Sequence, residues 1–229
     1  MSYWVIVVMM AFLVTSFLAT RFMIGGVPAL FTKTICSIGF VFAGILAMIY
    51  VDFHKFYAFI MIGLVFGMVG DILLDLKRLY KEDAGIYLNY GMLAFGLGHI
   101  MYFMALGNYY GFNGSFVGKT FLSIAIGLVA SAVIVFVLAK YLKLDFGEFK
   151  WQSFAYSTVL IAVMALSLIL GIKNNALMLM NIGLVVFLAS DLVLSTQYFG
   201  CKENNNILTA INHILYYGAQ VMIVGIMYY

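Results

Sequence analysis

Three aspartates, Asp71, Asp75 and Asp191, interrupt stretches of sequence that are otherwise almost wholly apolar. Asp71 and Asp75 are four residues apart, so in a helix they share a face. Two carboxylates so close resist being ionised together. A carboxyl that keeps its proton near neutral pH can act as a general acid. Asp191 could stay ionised beside Lys33 or His213 and act as the matching base. Further polar candidates inside the apolar runs are Lys33, His99, Asn181, Asn212, His213, Tyr216, Tyr217 and Gln220. A charged side chain at membrane depth costs at least ~2.5–3.5 kcal/mol on insertion scales, so such residues are candidates for function by default.

Each candidate also has a plainer reading. Asp75 reads best as a helix-end carboxylate in the headgroup zone, pairing with Lys77 or Arg78. His99 is equally well a hydrogen-bonded packing residue or a member of a site. Asn212 and His213 are adjacent and cannot share a helical face, so only one need point inward. Lys33 could snorkel to the interface; its place inside an apolar run favours pairing with an aspartate or an anionic headgroup. Tyr216 and Tyr217, with Gln220, offer donors to a bound ligand, although aromatics make up 17% of the chain and a single tyrosine says little. His99, His213, Asp71 and Asp191 could together ligate a metal, but no His-x-x-x-His or Cys-x-x-Cys spacing supports this, and neither metal nor cofactor is expected. There is no serine in a Gly-x-Ser-x-Gly context and no phosphate-binding glycine loop. Asn113-Gly114-Ser115 matches a glycosylation acceptor by a motif too short to carry weight. Cys36 lies in an apolar run and Cys201 in a polar loop, so no structural disulfide is expected.

The elements that must position these groups are set by composition. Hydrophobic residues make up 66% of the 229, charged residues 9%, and the mean hydropathy is +1.10. Ordinary globular domains carry roughly 25% charged residues, so lipid must solvate most of this surface. A net charge of +3 is too small and scattered for nucleic-acid binding. About 20 apolar residues span a bilayer as a helix. Eight such runs occur: Tyr3–Thr20, Pro28–Val51, Phe56–Leu76, Leu88–Leu106, Phe116–Leu142, Trp151–Ile172, Asn175–Phe199 and Ile207–Tyr229. They are continuously apolar rather than alternating, which excludes a β-barrel. The start lacks the basic segment of a signal peptide, so the first run is expected to be a retained helix. The separators are short. The expectation is an all-α membrane protein, one bundle of about eight transmembrane helices forming a single domain over 1–229.

Basic residues orient it. With both termini on one side, Arg21, Lys77, Arg78, Lys81, Lys140, Lys143, Lys150 and Lys202 fall on one face, and Lys55, Lys119 and Lys173 on the other. The richer face is expected to be cytoplasmic, with both termini outside. Asp71, Asp75, Asp191, Lys33, Asn212 and His213 then lie a turn or two from the cytoplasmic ends of their runs, counting 3.6 residues per turn. His99 lies about three turns into its run, so all share a layer in the cytoplasmic half.

A faint internal repeat runs through the same residues. Gly63-Leu64-Val65-Phe66-Gly67-Met68-Val69-Gly70-Asp71 in the third run can be laid on Gly183-Leu184-Val185-Val186-Phe187-Leu188-Ala189-Ser190-Asp191 in the seventh. The following runs carry His99-Ile100-Met101-Tyr102 and His213-Ile214-Leu215-Tyr216. Four spans separate the copies, so the halves would be two parallel four-helix repeats.

Five segments in order resemble the YhhN family of membrane proteins. They are Pro28 to Lys33, Gly70-Asp71-Ile72-Leu73-Leu74, Phe95-Gly96-Leu97-Gly98-His99-Ile100-Met101-Tyr102, Ser190-Asp191-Leu192-Val193-Leu194 and Tyr216-Tyr217-Gly218-Ala219-Gln220. One departure is that Ala29-Leu30-Phe31-Thr32 follows Pro28 without a second proline, which bears on headgroup contacts more than on chemistry. The characterised members are lysoplasmalogenases, so the resemblance implies hydrolysis of the vinyl ether bond of a lysoplasmalogen without a cofactor. It implies Asp71 and Asp191 as the catalytic acid and base, in either order. Lys33, with Lys77 and Arg78, would receive the phosphate of a lysophospholipid or ether-lipid substrate, and Asp75, His99, Asn212, His213, Tyr216, Tyr217 and Gln220 would complete the binding site. It implies a bacterial inner-membrane protein surrounded by membrane lipids. The alternative is a proton-coupled transporter of a lipid or small amphiphile, since Asp and His also build proton relays. A transporter would spread polar groups through both leaflets, and the outer half here is nearly bare of charge. A non-catalytic lipid-binding protein would have no use for paired buried acids. An intramembrane aspartyl protease is disfavoured by Met68, which breaks the Gly-x-Gly-Asp signature.

Overall fold

The computed structural model describes residues 2–50, 54–172, 174–200 and 205–228. Cys201, and the Lys173 and Lys202 used in the charge count, lie outside the described residues. All regular structure among the described residues is helical. Eight helices are long and apolar enough to cross a bilayer. They are α1 Tyr3–Met23, α2 Gly26–Tyr50, α3 Lys55–Leu79, α4 Ala84–Tyr110, α5 Gly114–Tyr141, α6 Lys150–Gly171, α7 Asn175–Tyr198 and α8 Asn206–Gly225. The eight apolar runs each become one helix, extended by up to a turn where polar residues cap the ends. His54 accepts the Phe56 amide at the start of α3, Asn113 that of Phe116 at α5, and Asn174 those of Ala176 and Leu177 at α7. Large apolar side chains point outward throughout; Phe12 and Phe121 are 72% and 69% exposed. Such a surface is stable only in lipid.

The chain forms two compact units. The first comprises residues up to Ala105 together with the segment from Val224 onward. The boundary at Ala105 lies inside α4 rather than in a linker. Within this unit α1 buries Ile6, Met10, Val14 and Phe17, a stripe at three- to four-residue spacing. Thr20 accepts backbone bonds from both Ile24 and Gly25. Gly25 and Gly26 then take positive φ (70° and 55°), which lets the chain reverse within two residues. Pro28 in the first turn of α2 suits a position where no amide hydrogen is required. Close helix contacts rest on glycines: a Cβ at Gly98 of α4 would lie 3.0 Å from the Gly63 carbonyl of α3. The end of the chain is tied down by a bond from the Tyr228 hydroxyl to the Ala43 carbonyl, 2.8 Å.

The second unit spans Leu106–Ile223. α5 faces α6 with the small residues Ser123, Gly127 and Ser131, and a Cβ at Gly127 would lie 2.6 Å from the Thr158 carbonyl. Residues Val133–Leu138 of α5 form a π-helical turn, closed by the Ala139 amide reaching back five residues to Ile134. α7 packs on α8, where Gly183 meets Ala219, Met222 and Ile223.

Candidate active site

In the first unit three helices converge on four charges. Lys33 projects from α2, and its Nζ lies 3.3 Å from Asp71 Oδ1 and 3.7 Å from Asp75 Oδ1. It also donates to the Asp71 carbonyl at 3.2 Å. Ser37, one turn further along α2, donates to the other oxygen of Asp71, Oδ2, at 2.6 Å. Arg21, in the last turn of α1, places Nη2 2.6 and 2.5 Å from the two oxygens of Asp75. Lys33, Asp71 and Asp75 are all at most 5% exposed. Burying such groups is tolerable only because each meets an opposite charge and a hydrogen bond. The four-residue spacing of Asp71 and Asp75 thus lets one ammonium serve both carboxylates.

The expectation that Asp75 pairs with Lys77 or Arg78 is corrected. Asp75 is fully buried, and its direct partners are Arg21 and Lys33. Lys77 and Arg78 follow it by two and three residues, and its carboxylate turns toward α1 and α2. Lys33 pairs with aspartate rather than snorkelling. Sequence reasoning did not select Arg21 or Ser37. Arg21 lies just past an apolar run, where it counts as an ordinary cytoplasmic-end cation, and Ser37 is one small hydroxyl among many. His99 is buried in α4 with its ring centroid 5.9 Å from that of Tyr102.

In the second unit, Asp191 of α7 accepts from the Tyr156 hydroxyl of α6, Oδ2 at 2.6 Å. Both residues are half-buried. No cation pairs with Asp191 among the described residues. Beside it, Asn212 of α8 donates to the Ser190 carbonyl at 2.8 Å. Tyr216 and Gln220, one turn apart, are joined by a bond from Gln220 Nε2 to the Tyr216 hydroxyl at 3.0 Å. Gln220 Oε1 is buried with no hydrogen-bond donor among the described residues. Tyr216 packs edge-on against Phe187, and His213 stacks on Tyr217. His213 Nδ1 is 2.7 Å from the Thr209 carbonyl, a contact in which Nδ1 is the donor. Asn181 is committed locally, donating to the Met164 carbonyl at 2.7 Å and to Ser167 at 3.1 Å. Among the described residues no group of three or more His, Cys, Asp or Glu is arranged to hold a metal ion.

The two units share one device. In each, the aspartate that ends the glycine-led motif takes a short hydroxyl bond from the helix before it: Ser37 of α2 to Asp71 of α3, and Tyr156 of α6 to Asp191 of α7. They differ in charge. Asp191 stands 120 positions after Asp71, and 120 after Lys33 stands Ser153, a neutral residue.

Fold and buried polar groups together define an integral, multi-pass helical membrane protein with ionisable residues inside its spans. The chain belongs to the YhhN family, whose model matches residues 29–227, nearly its whole length. No curated protein matches it, and no solved structure does.

Proposed function

We propose that this protein is a membrane-embedded hydrolase that cleaves the vinyl ether bond of lysoplasmalogens, releasing a fatty aldehyde and a glycerophospho-base. The observation that carries the reading is the pair of aspartates within apolar spans, each held by a hydroxyl from the preceding helix. Family membership supports it. Vinyl ether hydrolysis starts with proton transfer to the β carbon of the C=C bond, which places positive charge on the ether-bearing carbon and its oxygen. Water adds to that carbon and loses a proton. The resulting hemiacetal breaks its bond to the glycerol oxygen, giving the aldehyde and the free glycerol hydroxyl. Two carboxyl groups in opposite protonation states meet these needs, as they do for the related cation of glycoside hydrolysis. Asp191, whose partner is a neutral phenol, is the better proton donor. Asp71, beside the Lys33 ammonium, suits the carboxylate that steadies the cation and takes the proton from water. Lys33 contacts the phosphate, with Lys77 and Arg78 nearer the interface. Asp75, His99, Asn212, His213, Tyr216, Tyr217 and Gln220 shape the rest of the site. On this reading the protein lies in a bacterial inner membrane with the site in the cytoplasmic half and both termini outside, an orientation that the basic-residue count favours.

The mechanism is tested by running the reaction in D2O. Protonation at carbon puts one solvent deuterium on the carbon next to the aldehyde group, read by mass spectrometry of the aldehyde trapped as it forms. Aldehyde without that deuterium would exclude the proposed first step.

A further inference from the structure

Arg21 precedes the segment that the family model matches, yet it is the nearest charged partner of Asp75. Its Nη2 reaches both carboxylate oxygens, its side chain is nine-tenths buried, and Phe17, one turn earlier on α1, lies 5.3 Å from the guanidinium carbon. The cluster is balanced: Arg21 and Lys33 against Asp71 and Asp75. Lys33 is the contested member, 3.3 Å from one carboxylate and 3.7 Å from the other. A further charge acting on Asp75 is Arg78, on α3 itself. α4 faces this stretch of α3 with Phe95, against Gly70, and Gly91, against Leu74, which carry no charge.

We infer that Arg21 is a positioning residue: by occupying Asp75 it leaves the Lys33 ammonium to Asp71. Without Arg21, two buried carboxylates would compete for one lysine. Leaving a buried charge without its partner is costly, so one carboxyl takes up a proton and Lys33 is no longer held against Asp71. The first helix thereby acts on the reacting groups through two intervening side chains while touching neither substrate nor Asp71. This inference rests on the reading of Asp71 as a catalytic carboxylate.

The test compares wild-type protein with Arg21→Gln, Arg21→Lys and the double variant Arg21→Gln/Asp75→Asn. In Arg21→Gln, kcat for aldehyde release falls roughly ten- to hundredfold with KM little changed, the scale expected when a reacting group is misplaced. Arg21→Lys retains most activity. The double variant, balanced again as Lys33 against Asp71, regains at least about tenfold over Arg21→Gln. Infrared spectra of the substrate-free proteins give a second readout. Arg21→Gln gains a protonated-carboxyl C=O stretch in addition to any that the wild type shows, and adding Asp75→Asn removes the added band. An unaltered kcat in Arg21→Gln, or a double variant no more active than the single one, overturns the inference. If Arg21→Gln does not fold, recovery of folded protein by Asp75→Asn supports the inference, and failure to recover it overturns it. If the wild type releases no aldehyde while the carboxyl band still appears and disappears as described, the charge-balance inference stands and the hydrolase reading falls.

Discussion

Replacing Tyr156 by Phe deletes one oxygen and leaves the ring in place. The oxygen lost is the donor that lies 2.6 Å from Asp191 Oδ2. While it donates there, a proton carried by Asp191 must sit on the other oxygen, Oδ1, so the phenol fixes which oxygen faces the substrate. Hydrogen bonds to charged groups contribute about 1.5–3 kcal/mol, and neutral ones about 0.5–1.5. Both residues are half-buried and the donor is a neutral phenol, so the overlap of the two ranges applies, about 1–2 kcal/mol. If that is spent on orienting the proton in the transition state, kcat falls about five- to thirtyfold. KM should hardly move, because the phenol contacts the carboxyl rather than the substrate. The assay is continuous reduction of released aldehyde by a coupled dehydrogenase, using protein in detergent, with thermal unfolding of both forms as a control. A Tyr156→Phe protein of unchanged stability and activity within about twofold of wild type, a difference of under ~0.5 kcal/mol, would refute the role given to this bond.

Three further outcomes follow from the same geometry. Lys33→Met leaves Asp71 without its ammonium and Asp75 with Arg21 alone; loss of about 3–5 kcal/mol of stability is expected, seen as a lower unfolding temperature together with loss of aldehyde release. Gly127→Ala forces a methyl group to within 2.6 Å of the Thr158 carbonyl, so α5 and α6 must separate; a cost of about 1–3 kcal/mol should appear in thermal unfolding. Ser37→Ala removes the bond to Asp71 Oδ2 in a fully buried setting, and aldehyde release should fall about tenfold or more.

Much of this architecture was legible in the sequence because bilayer thickness forces its signal into runs of about 20 residues, and all eight runs became helices. The pairing of Lys33 with an aspartate was legible for a related reason: a charge inside an apolar run must find a partner there. The partner of Asp75 was not. Helical periodicity says which residues share a face but not which helix that face meets, so the nearest charges in sequence, Lys77 and Arg78, stood in for Arg21, 54 residues away. The clue to Arg21 was its position at the same end of the membrane as Asp75, one residue beyond the run Tyr3–Thr20. Tyr156 carried less signal, being one of 16 tyrosines, and Ser37 carried less again, because serines within apolar helices commonly bond to their own backbone.

The most direct measurement of the central claim is aldehyde release from a lysoplasmalogen and from its saturated alkyl-ether analogue, by the wild-type protein and by Asp71→Asn and Asp191→Asn. The account predicts aldehyde from the vinyl ether only, and none above background from either variant. Full activity in either Asn variant would contradict the two-carboxylate mechanism, and absence of release by the wild-type protein would contradict the hydrolase reading itself.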